Sequence, residues 1–424
     1  MTHRIKECRI CGNKNFKTIL DLGEQTLSGI FPDVPSLEHS SQLNLVQCDG
    51  EHSDPMKISC GHIQLEETFS PEVMYGKDYG YRSGLNKSMV AHLKGRVEEI
   101  IGRFEENEMV SLEEDDFVLD IAGNDGTTLG FYPSSLTRVN IDPTSEKFKK
   151  YQPEGVVNIA DFYSSDVLHQ YLLNNDLECK SFKVITAFSM FYDLESPREF
   201  LMDVENILDQ EGLIVFEQSY MPLMFKRMSF DTICHEHLSY FALKQFNFMF
   251  KQIGLKFVDI SFNDCNGGSF VVTAARDDSK FWEENTTLLN ELLSKEEEEG
   301  YHLEETWKGW ESSIKKLRSS LKKKIAGKKV AGLGASTKGN VLLQYYGLGP
   351  EDIEVIGDVN PDKHGCYAPG SWIPIVSEEE VLAGDYDYYL VLPWHFKDFF
   401  INNPKFKGKT LLFPLPEVHT VTVE

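Results

Sequence analysis

The sequence predicts an α/β protein with a central, doubly wound domain, a small domain before it and a second α/β domain after it. Strand and helix patterns alternate over residues 86–275, which is typical of a largely parallel sheet. Residues 1–85 are rich in Cys, Gly and Pro and lack the apolar runs of a large core. Strand and helix patterns resume within residues 276–424, after helical linkers. We therefore expect three domains, of which the second and third are Rossmann-like.

The composition favours a folded protein that binds neither nucleic acid nor membranes. The chain has 424 residues, of which 41% are hydrophobic, and this length exceeds what one compact core accommodates. Lys plus Arg number 42 against 67 Asp plus Glu, so the formal net charge of −25 repels anionic polymers and surfaces. We see neither a signal-peptide pattern nor an apolar run of about 18 residues. We expect a cytoplasmic protein, either a monomer or a homodimer.

Apolar periodicity places the elements of the first two domains. The N-terminal block has strand-like runs at Leu43–Gln47 and His62–Leu65. A helical pattern over Val90–Phe104 opens the central block. Four apolar runs then predict its buried strands: Phe117–Ile121, Val139–Ile141, Val184–Phe188 and Leu213–Glu217.

The third block is predicted to begin with one long helix over Phe281–Ala326. Its apolar stripe repeats at spacings of three and four, through Trp307, Trp310, Ile314, Leu317 and Leu321. Gly327 ends the helix. We expect the stripe to pack against neighbouring domains. Strand runs follow at Lys329–Gly332, Ile353–Gly357, Tyr388–Leu392 and Thr410–Phe413.

Four cysteines in the first block are spaced as metal ligands. Cys8 and Cys11 flank two residues, and Cys48 and Cys60 follow within the same block. Four thiolates close a tetrahedral Zn²⁺ site, and a loop-rich domain gains folding free energy from such a site. Eleven residues separate the second pair, so His52 and His62 are competing candidates for the fourth ligand. We predict structural zinc, with four free thiols as the alternative.

The strongest local pattern is the turn after the strand Phe117–Ile121. We expect a helix from about Thr127 that directs its N-terminus at this turn. Gly123 and Gly126 allow a ligand to approach the backbone, and Asp120 can meet a cationic amino group. Asp142 ends the next strand, about 20 residues on, where a ribose diol is held.

Three details favour S-adenosylmethionine (SAM) over NAD as the ligand of this turn. The glycines do not follow the G-x-G-x-x-G pattern, and the acidic Asn124-Asp125 pair suits a sulfonium better than a pyrophosphate. Asp161 can take the adenine amino group while Phe162 stacks on the ring. Phe188, at the end of its strand run, is a further candidate. A purely structural βαβ turn is the alternative.

A compact cluster of titratable residues lies at His235, Glu236 and His237. Two imidazoles that flank a carboxylate indicate proton chemistry or a metal site. Ligands at positions i and i+2 share a face only in a strand, and further metal ligands have no obvious donors. We therefore favour a general base, for which a neutral imidazole near its reference pKa is suited.

Here the sequence resembles the sugar C-methyltransferases, which add a methyl group to C3 of nucleotide-linked 4-keto-6-deoxy sugars. The resemblance covers nearly the whole chain and includes, in order, CRICG, DYGYRSG (78–84), the turn described above, MFYDLESP (190–197), EQSY (217–220), CHEHLSYF (234–241), NGGSF (266–270), GLGASTKGN (332–340) and LPWHF (392–396). It implies a zinc-binding N-terminal domain, a central SAM domain and a Rossmann-like C-terminal domain that helps to hold the nucleotide sugar.

The resemblance also implies roles for individual residues. A base removes the C3 proton, which the C4 ketone acidifies, and the enolate attacks the sulfonium methyl. By motif match, His237 is the first choice for the base, Glu236 its orienting partner, and Tyr79 a substrate-contacting tyrosine. Other members carry Tyr at Cys234 and His at Asp193 or Tyr192. The remaining aromatic substrate candidates in these motifs are Tyr81 and Tyr220.

The loop Gly332–Gly339 follows a strand and precedes a helix. Its backbone amides, together with Ser336, Thr337 and Lys338, can cradle the diphosphate of a nucleotide sugar. Read alone, the loop is equally an NAD loop or a structural turn. Four more residues are candidates for the same cleft, with ordinary packing as the alternative: Asn266, Ser269, Trp394 and His395.

Two further hypotheses use the same features. An NAD-dependent oxidoreductase or epimerase would work from the C-terminal loop. A non-catalytic protein that binds nucleotide sugars would keep the scaffold without turnover, which the departures at Cys234 and Asp193 motivate.

Overall fold

The computed structural model describes residues 2–36, 39–75, 81–178 and 181–424. Within these ranges the chain forms two mixed α/β domains and a small, strand-rich N-terminal domain. Most of the buried apolar side chains, including residues from all three domains, form one continuous core. The domain divisions near residues 85 and 275 stay predictions. Among the described helices, none is both long and apolar enough to cross a membrane.

The N-terminal domain is built on a four-stranded antiparallel sheet, to which the central part of the chain contributes one strand. The domain's own elements are β1 (Thr2–Arg4), β2 (Phe16–Thr26), β3 (Ser40–Cys48), β4 (Ile63–Leu65), β5 (Glu67–Phe69) and α1 (Pro71–Met74). Strand β11 (Ser239–Tyr240) pairs with β4, which gives the order β11-β4-β3-β2. The segment just after His237 is therefore anchored on the N-terminal domain.

The central domain contains a seven-stranded sheet. Its elements are α2 (Lys87–Glu106), β6 (Phe117–Ile121), β7 (Thr137–Ile141), β8 (Val156–Ile159), α3 (Ser165–Asn174), β9 (Phe182–Phe188), α4 (Pro197–Ile207), β10 (Leu208–Ser219), α5 (Met221–Lys226), α6 (Leu243–Ile253), β12 (Leu255–Asn263) and β13 (Ser269–Arg276). The order is β12-β13-β10-β9-β6-β7-β8, in which the β12–β13 and β13–β10 pairs are antiparallel and the others are parallel. Chain order reverses between β6 and β9, so a ligand crevice is expected at their carboxyl ends.

The prediction of a helix from about Thr127 is wrong. Only a short 3-10 turn, Leu129–Phe131, follows the glycine turn. Tyr132, which precedes Pro133, is extended with φ −75° and ψ 148°. A proline disfavours the helical conformation of the residue before it, so a longer helix cannot form here.

The C-terminal domain holds a six-stranded sheet behind two linker helices. Its elements are α7 (Thr286–Glu298), α8 (Glu304–Ile325), β14 (Val330–Leu333), α9 (Thr337–Tyr346), β15 (Ile356–Asp358), β16 (Ile375–Ser377), α10 (Glu378–Ala383), β17 (Tyr388–Val391), α11 (Lys397–Asn402), β18 (Thr410–Phe413) and β19 (His419–Thr422). The order is β16-β15-β14-β17-β18-β19, parallel except for β19. A second doubly wound sheet is thus confirmed.

The linker is two helices rather than the one predicted. Gly300 has a φ of +68°, a left-handed conformation that ends α7 before α8 begins. The expected apolar stripe lies on α8, where Trp307, Trp310, Ile314 and Leu321 are buried. Trp310 donates a hydrogen bond from Nε1 to the carbonyl oxygen of Phe225 at 2.9 Å, so the stripe packs against the central domain.

Candidate active site

The four cysteines of the N-terminal domain converge. The sulfur atoms of Cys8, Cys11, Cys48 and Cys60 lie within 4.8 Å of one another. The Cys8–Cys60 and Cys11–Cys48 pairs are each separated by 3.5 Å. Tetrahedral zinc with Zn–S bonds of about 2.3 Å requires S–S separations of about 3.8 Å, so this set fits Zn²⁺.

Neither candidate histidine competes for the fourth ligand position. His62 Nε2 lies 3.0 Å from Ser239 Oγ, and His52 Nε2 lies 3.0 Å from the carbonyl oxygen of Cys11. The Nε2 atom of each histidine is therefore engaged outside the sulfur cluster. The convergence of the four sulfur atoms favours Cys48 over both histidines as the fourth ligand, although the spacing of Cys48 and Cys60 departs from that of a typical zinc site.

The glycine turn brings its acidic residues around the end of β6. Asp120 is buried; its Oδ1 accepts a hydrogen bond from Thr186 Oγ1 at 2.6 Å, whereas its Oδ2 has no protein partner. Burial raises the pKa of Asp120 to about 7. A Cβ on Gly123 would lie 2.6 Å from Asp120 Oδ2, so this glycine keeps the space beside the carboxyl group open. The unpaired oxygen fits the cationic amino group of SAM.

Asp142 is held in place by the same turn. Its Oδ2 accepts the Asn124 backbone N–H at 2.9 Å, and its Oδ1 accepts the Thr144 backbone N–H at 2.6 Å. Asn124 has a φ of +56°, which directs its N–H toward the next strand. Burial raises the pKa of Asp142. The carboxyl group is therefore fixed at the position where a ribose would be held.

The approach to the turn is closed by the segment before α2. Asp125 Oδ2 accepts the Gly84 backbone N–H at 3.0 Å, and Asn124 Oδ1 accepts that of Ser83 at 3.1 Å. The Tyr81 side chain is half-exposed, and its carbonyl oxygen accepts a bond from Asn124 Nδ2 at 3.3 Å. Gly126 has a φ of +73°, so a side chain there would be strained. Two predicted cofactor residues thus also fix the segment that would cover a ligand.

The predicted adenine residues lie at the open end of the sheet. Phe162 is 41% exposed, which leaves its ring free to stack. Asp161 is exposed and accepts the Phe162 backbone N–H at 2.8 Å through Oδ1. Phe188 ends β9 next to Glu217 and is partly buried. All three lie at the carboxyl ends of parallel strands, as the SAM prediction requires.

His237 lies beside a small cavity that Tyr192 and Tyr240 also line. Its Nδ1 is 2.8 Å from the backbone carbonyl oxygen of Thr232, and its ring centroid is 4.3 Å from that of Tyr192. A carbonyl oxygen can only accept, so Nδ1 carries the proton and Nε2 the lone pair. Burial lowers the pKa of His237 to about 4, and the charge of Lys338 adds to this. The residue is a neutral base at physiological pH.

Glu236 does not orient His237. Its Oε2 accepts a hydrogen bond from Ser28 Oγ at 3.0 Å, while its Oε1 is buried without a protein partner. The Thr232 carbonyl oxygen takes the orienting role that the family match assigned to Glu236. Burial raises the pKa of Glu236, so a proton on this group is favoured. The residue joins the N-terminal domain to the base-bearing segment.

His235 faces away from His237, toward the N-terminal domain. Its ring packs edge-on against Phe69, with centroids 5.1 Å apart, and it is almost fully buried. Burial lowers its pKa to about 4. Residues 235 and 236 form a turn, which the His237 backbone N–H closes by donating to the Cys234 carbonyl oxygen at 3.1 Å, so the two histidines are not on one face and His235 packs structurally.

The two departures from the family motifs meet at Glu236. Cys234 and Asp193 are held in its vicinity, and burial together with the Glu236 charge raises the pKa of both. Asp193 Oδ1 is buried without a protein partner. Asp193 therefore offers a buried carboxyl group, and Tyr192 a phenol, as the alternatives for the position that the resemblance assigns to a histidine in some members.

Several predicted substrate residues already have protein partners. Tyr220 donates from Oη to Glu296 Oε1 at 2.5 Å, and Ser269 donates from Oγ to the Cys265 carbonyl oxygen at 2.9 Å. Ser336 Oγ accepts the Gly339 backbone N–H at 3.0 Å and so caps α9. The structure gives these three hydroxyl groups structural contacts. Thr337, which begins α9, is partly buried, and Tyr79 lies outside the described residues.

The C-terminal domain contributes a second group of side chains to the cleft beside His237. Lys338 Nζ donates to the Asn266 carbonyl oxygen, and Trp394 Nε1 donates to Asp231 Oδ2 at 2.7 Å. Asn266 Nδ2 in turn reaches Ser189 Oγ at 3.2 Å, at the end of β9. His395 is partly buried against the same cleft. Four predicted substrate residues are therefore brought together at the interface of the two Rossmann-like domains.

Sequence reasoning missed the groups that support this cleft. Thr232 acts through its backbone, which no sequence pattern reveals. Glu217, nearly fully buried at the end of β10, has Oε1 2.5 Å from His92 Nε2. Its place at the carboxyl end of a predicted strand was a usable signal.

Comparisons with known proteins agree with this architecture. Three family models match in sequence order: "Putative zinc binding domain" over residues 8–75, "Methyltransferase domain" over 89–260 and "C-methyltransferase C-terminal domain" over 264–416. C-methyltransferase NovU from Streptomyces niveus is 28% identical over 432 residues, with 99% of this chain and 98% of that protein covered.

Solved methyltransferase structures align with part of the chain. The plantazolicin methyltransferase BpumL, in complex with an analogue and S-adenosylhomocysteine, has a TM-score of 0.36 at 13% identity, covering 46% of this chain and 88% of that one. The CurJ carbon methyltransferase has a TM-score of 0.32 at 14% identity, covering 45% and 55%. The family matches, rather than these structures, favour the methyltransferase hypothesis over the oxidoreductase and non-catalytic alternatives. The matches fit a sugar C-methyltransferase family, and the chain is a SAM-dependent C-methyltransferase with a zinc-binding domain.

Proposed function

We infer that the protein methylates C3 of a nucleotide-diphosphate-linked 4-keto-6-deoxy sugar. The observation that carries this proposal is His237, a histidine kept neutral and held by a backbone carbonyl, in a cleft that the C-terminal domain completes. A neutral base is needed for carbon methylation, because the carbon must first lose a proton. The resemblance of the motifs to the sugar C-methyltransferases supports a keto sugar as the acceptor.

Different residues of the cleft would bind SAM and remove the proton. Asp120, Asp142, Asp161 and Phe162 hold SAM, which supplies an electrophilic methyl group when bound. His237 takes the C3 proton on Nε2, and the electron pair of the C3–H bond moves into an enolate on C3, C4 and its oxygen. The same pair then forms the new carbon–carbon bond to the methyl group as the methyl–sulfur bond breaks, its electron pair leaves with S-adenosylhomocysteine, and the ketone is restored. Burial of the cleft excludes water from the enolate.

The test uses the full-length protein with SAM and a panel of nucleotide-diphosphate 4-keto-6-deoxy sugars that differ in nucleotide base and C3 substituent. We expect S-adenosylhomocysteine and a product carrying one more methyl group, located on C3 by NMR. His237→Gln should abolish turnover while SAM affinity is retained, whereas His169→Gln, at an exposed position on α3, should keep full activity. Methylation of an oxygen, or a fully active His237→Gln enzyme, would refute the proposal.

A further inference from the structure

A lysine amine lies inside the cleft between the two Rossmann-like domains. Lys338, in the first turn of α9, donates from Nζ to the carbonyl oxygen of Asn266 on the central domain. Desolvation lowers its pKa, whereas the charge of Asp231 opposes that shift. The amine is therefore directed into the cleft, away from the loop that precedes α9.

Polar groups without protein partners surround this amine. A Cβ on Gly267 would lie 3.5 Å from Lys338 Nζ, 3.6 Å from Ser229 Oγ and 3.9 Å from His395 Cβ. Ser229 Oγ and His395 Nδ1 are both buried, and neither has a hydrogen-bond partner in the protein. Because residue 267 has no side chain, a small space remains where a cation and a hydroxyl donor converge. This arrangement suits a single anionic oxygen.

The same amine lies close to the base. Burial lowers the pKa of both His237 and His395, and the positive charge of Lys338 adds to both shifts, so the two imidazoles are within its electrostatic reach. Asp231, which also interacts with Lys338, is fixed by Trp394 at 2.7 Å. The Thr232 carbonyl oxygen that holds His237 belongs to the same short turn as Ser229, because the Thr232 backbone N–H donates to the Ser229 carbonyl oxygen at 3.1 Å. The base and the groups around Lys338 therefore meet at one part of the domain interface, although they come from different domains.

The loop before α9 offers little to a diphosphate. The Ala335 backbone N–H already donates to Asp358 Oδ2 at 2.7 Å, and the Gly339 backbone N–H donates to Ser336 Oγ at 3.0 Å. Asp358 also places a carboxylate beside the loop, which would repel a phosphate. The diphosphate role predicted for Lys338 therefore lacks its supporting donors.

We propose that Lys338 and Ser229 bind the C4 oxygen of the acceptor and stabilise the negative charge that develops there when His237 removes the C3 proton. This rests on the proposed function. As the C3–H bond breaks and the N–H bond forms on Nε2, the electron pair shifts toward the C4 oxygen, where it meets the ammonium group and the hydroxyl. When the carbon–carbon bond forms, the charge leaves the oxygen and Lys338 is unchanged.

The position of Lys338 also affects the charge of His237 before and after proton transfer. Before proton transfer, burial keeps His237 neutral and ready to accept a proton, and the charge of Lys338 adds to this effect. Once the oxyanion forms, it neutralises the field of the amine, and the new imidazolium lies beside an anion. Removal of one preorganised donor to an oxyanion costs about 10²-fold to 10³-fold in kcat.

The experiment compares Lys338→Met and Ser229→Ala with the wild type, using full-length enzyme and an accepted keto sugar. We expect Lys338→Met to lower kcat at least about 100-fold and Ser229→Ala at least about tenfold, with KM for the sugar within about threefold and SAM affinity retained. Exchange of the C3 proton in D₂O, followed by NMR with S-adenosylhomocysteine bound, should slow in parallel. The matched control is Lys397→Met at the start of α11, where Nζ lies 2.8 Å from His419 Nε2 on β19.

Each outcome decides whether Lys338 binds the C4 oxygen or the diphosphate of the substrate. A rise of tenfold or more in KM with unchanged kcat would assign Lys338 to the diphosphate and overturn the proposal, as would unchanged kinetics. Rescue of a Lys338→Ala enzyme by added ethylamine separates a lost charge from misfolding, and absence of rescue in a folded, SAM-binding variant counts against the proposal. If the wild type methylates no keto sugar, the proposed function fails. If the wild type is active and the Lys338 and Ser229 variants have the same kinetics, only this inference fails.

Discussion

The Nδ1 atom of His237 lies 2.8 Å from the backbone carbonyl oxygen of Thr232, five residues earlier in the chain. This contact fixes one tautomer and one ring orientation without any charged partner. Burial lowers the pKa of His237 to about 4, because the neutral Thr232 carbonyl oxygen offsets the loss of solvation less than a carboxylate would. The base therefore stays unprotonated over the whole physiological range.

The first prediction concerns the pH dependence of the reaction. Because the pKa of His237 is lowered, protonation inactivates the base only at about pH 4. We expect kcat/KM to show no loss from His237 protonation between about pH 5.5 and 7.5, in contrast to the fall below pH 6.5 that an unperturbed histidine gives. A pH–rate profile checks this. A midpoint of the acid limb near pH 6.5, together with retained structure, would contradict it.

The second prediction concerns the stability contribution of His235. Its pKa is about 4 in the folded protein and about 6.5 when unfolded, so the unfolded chain binds the extra proton between these values. Stability due to this residue is thus complete above about pH 6.5 and falls as the pH drops toward 4.

We expect the free energy of unfolding of the wild type to fall by roughly 2 to 3 kcal/mol more than that of His235→Gln between pH 7 and 4.5. Urea unfolding at both pH values measures this difference. The exposed His169→Gln variant is the control and should track the wild type. Equal pH dependence of the wild type and His235→Gln would show that the ring is not buried in its neutral form.

The third prediction concerns the zinc site. Cys48→Ser removes one of four converging thiolates, so zinc content should fall well below one equivalent and the melting temperature should drop. Elemental analysis and thermal unfolding with and without a chelator measure both effects. Cys366→Ser, at a thiol outside the cluster, should retain zinc and stability. Full zinc content in Cys48→Ser would exclude this residue as a ligand.

The fourth prediction concerns the glycine turn. A methyl group at Gly123 would meet the side chains of Asp120 and Asn140, so Gly123→Ala should weaken SAM binding at least about tenfold by displacing the carboxyl group. Isothermal calorimetry measures the affinity. Gly102→Ala is the matched control, because a Cβ on this α2 residue has open space around it. Unchanged SAM affinity in Gly123→Ala would remove Asp120 from the site.

Local patterns in the chain were sufficient for several features. The strand and turn from Phe117 to Gly126 were predictable because a buried parallel strand is a continuous apolar run and a close backbone approach requires glycine. The four-cysteine cluster followed from spacing, since a small domain without a large core needs a metal. The helix expected after the turn was wrong because a single proline, Pro133, outweighed the βαβ pattern.

The sequence by itself therefore determined the domain types, the cofactor turn and the identity of the base candidate, since each depends on residues close together in the chain. Only the tertiary structure decided which candidates face the cleft. Lys338 turned inward to Asn266, Tyr220 was taken by Glu296, and the Thr232 carbonyl oxygen replaced Glu236 as the partner of His237. These outcomes depend on groups that meet only after the domains pack, and a polar side chain bonds to whichever partner burial brings within reach.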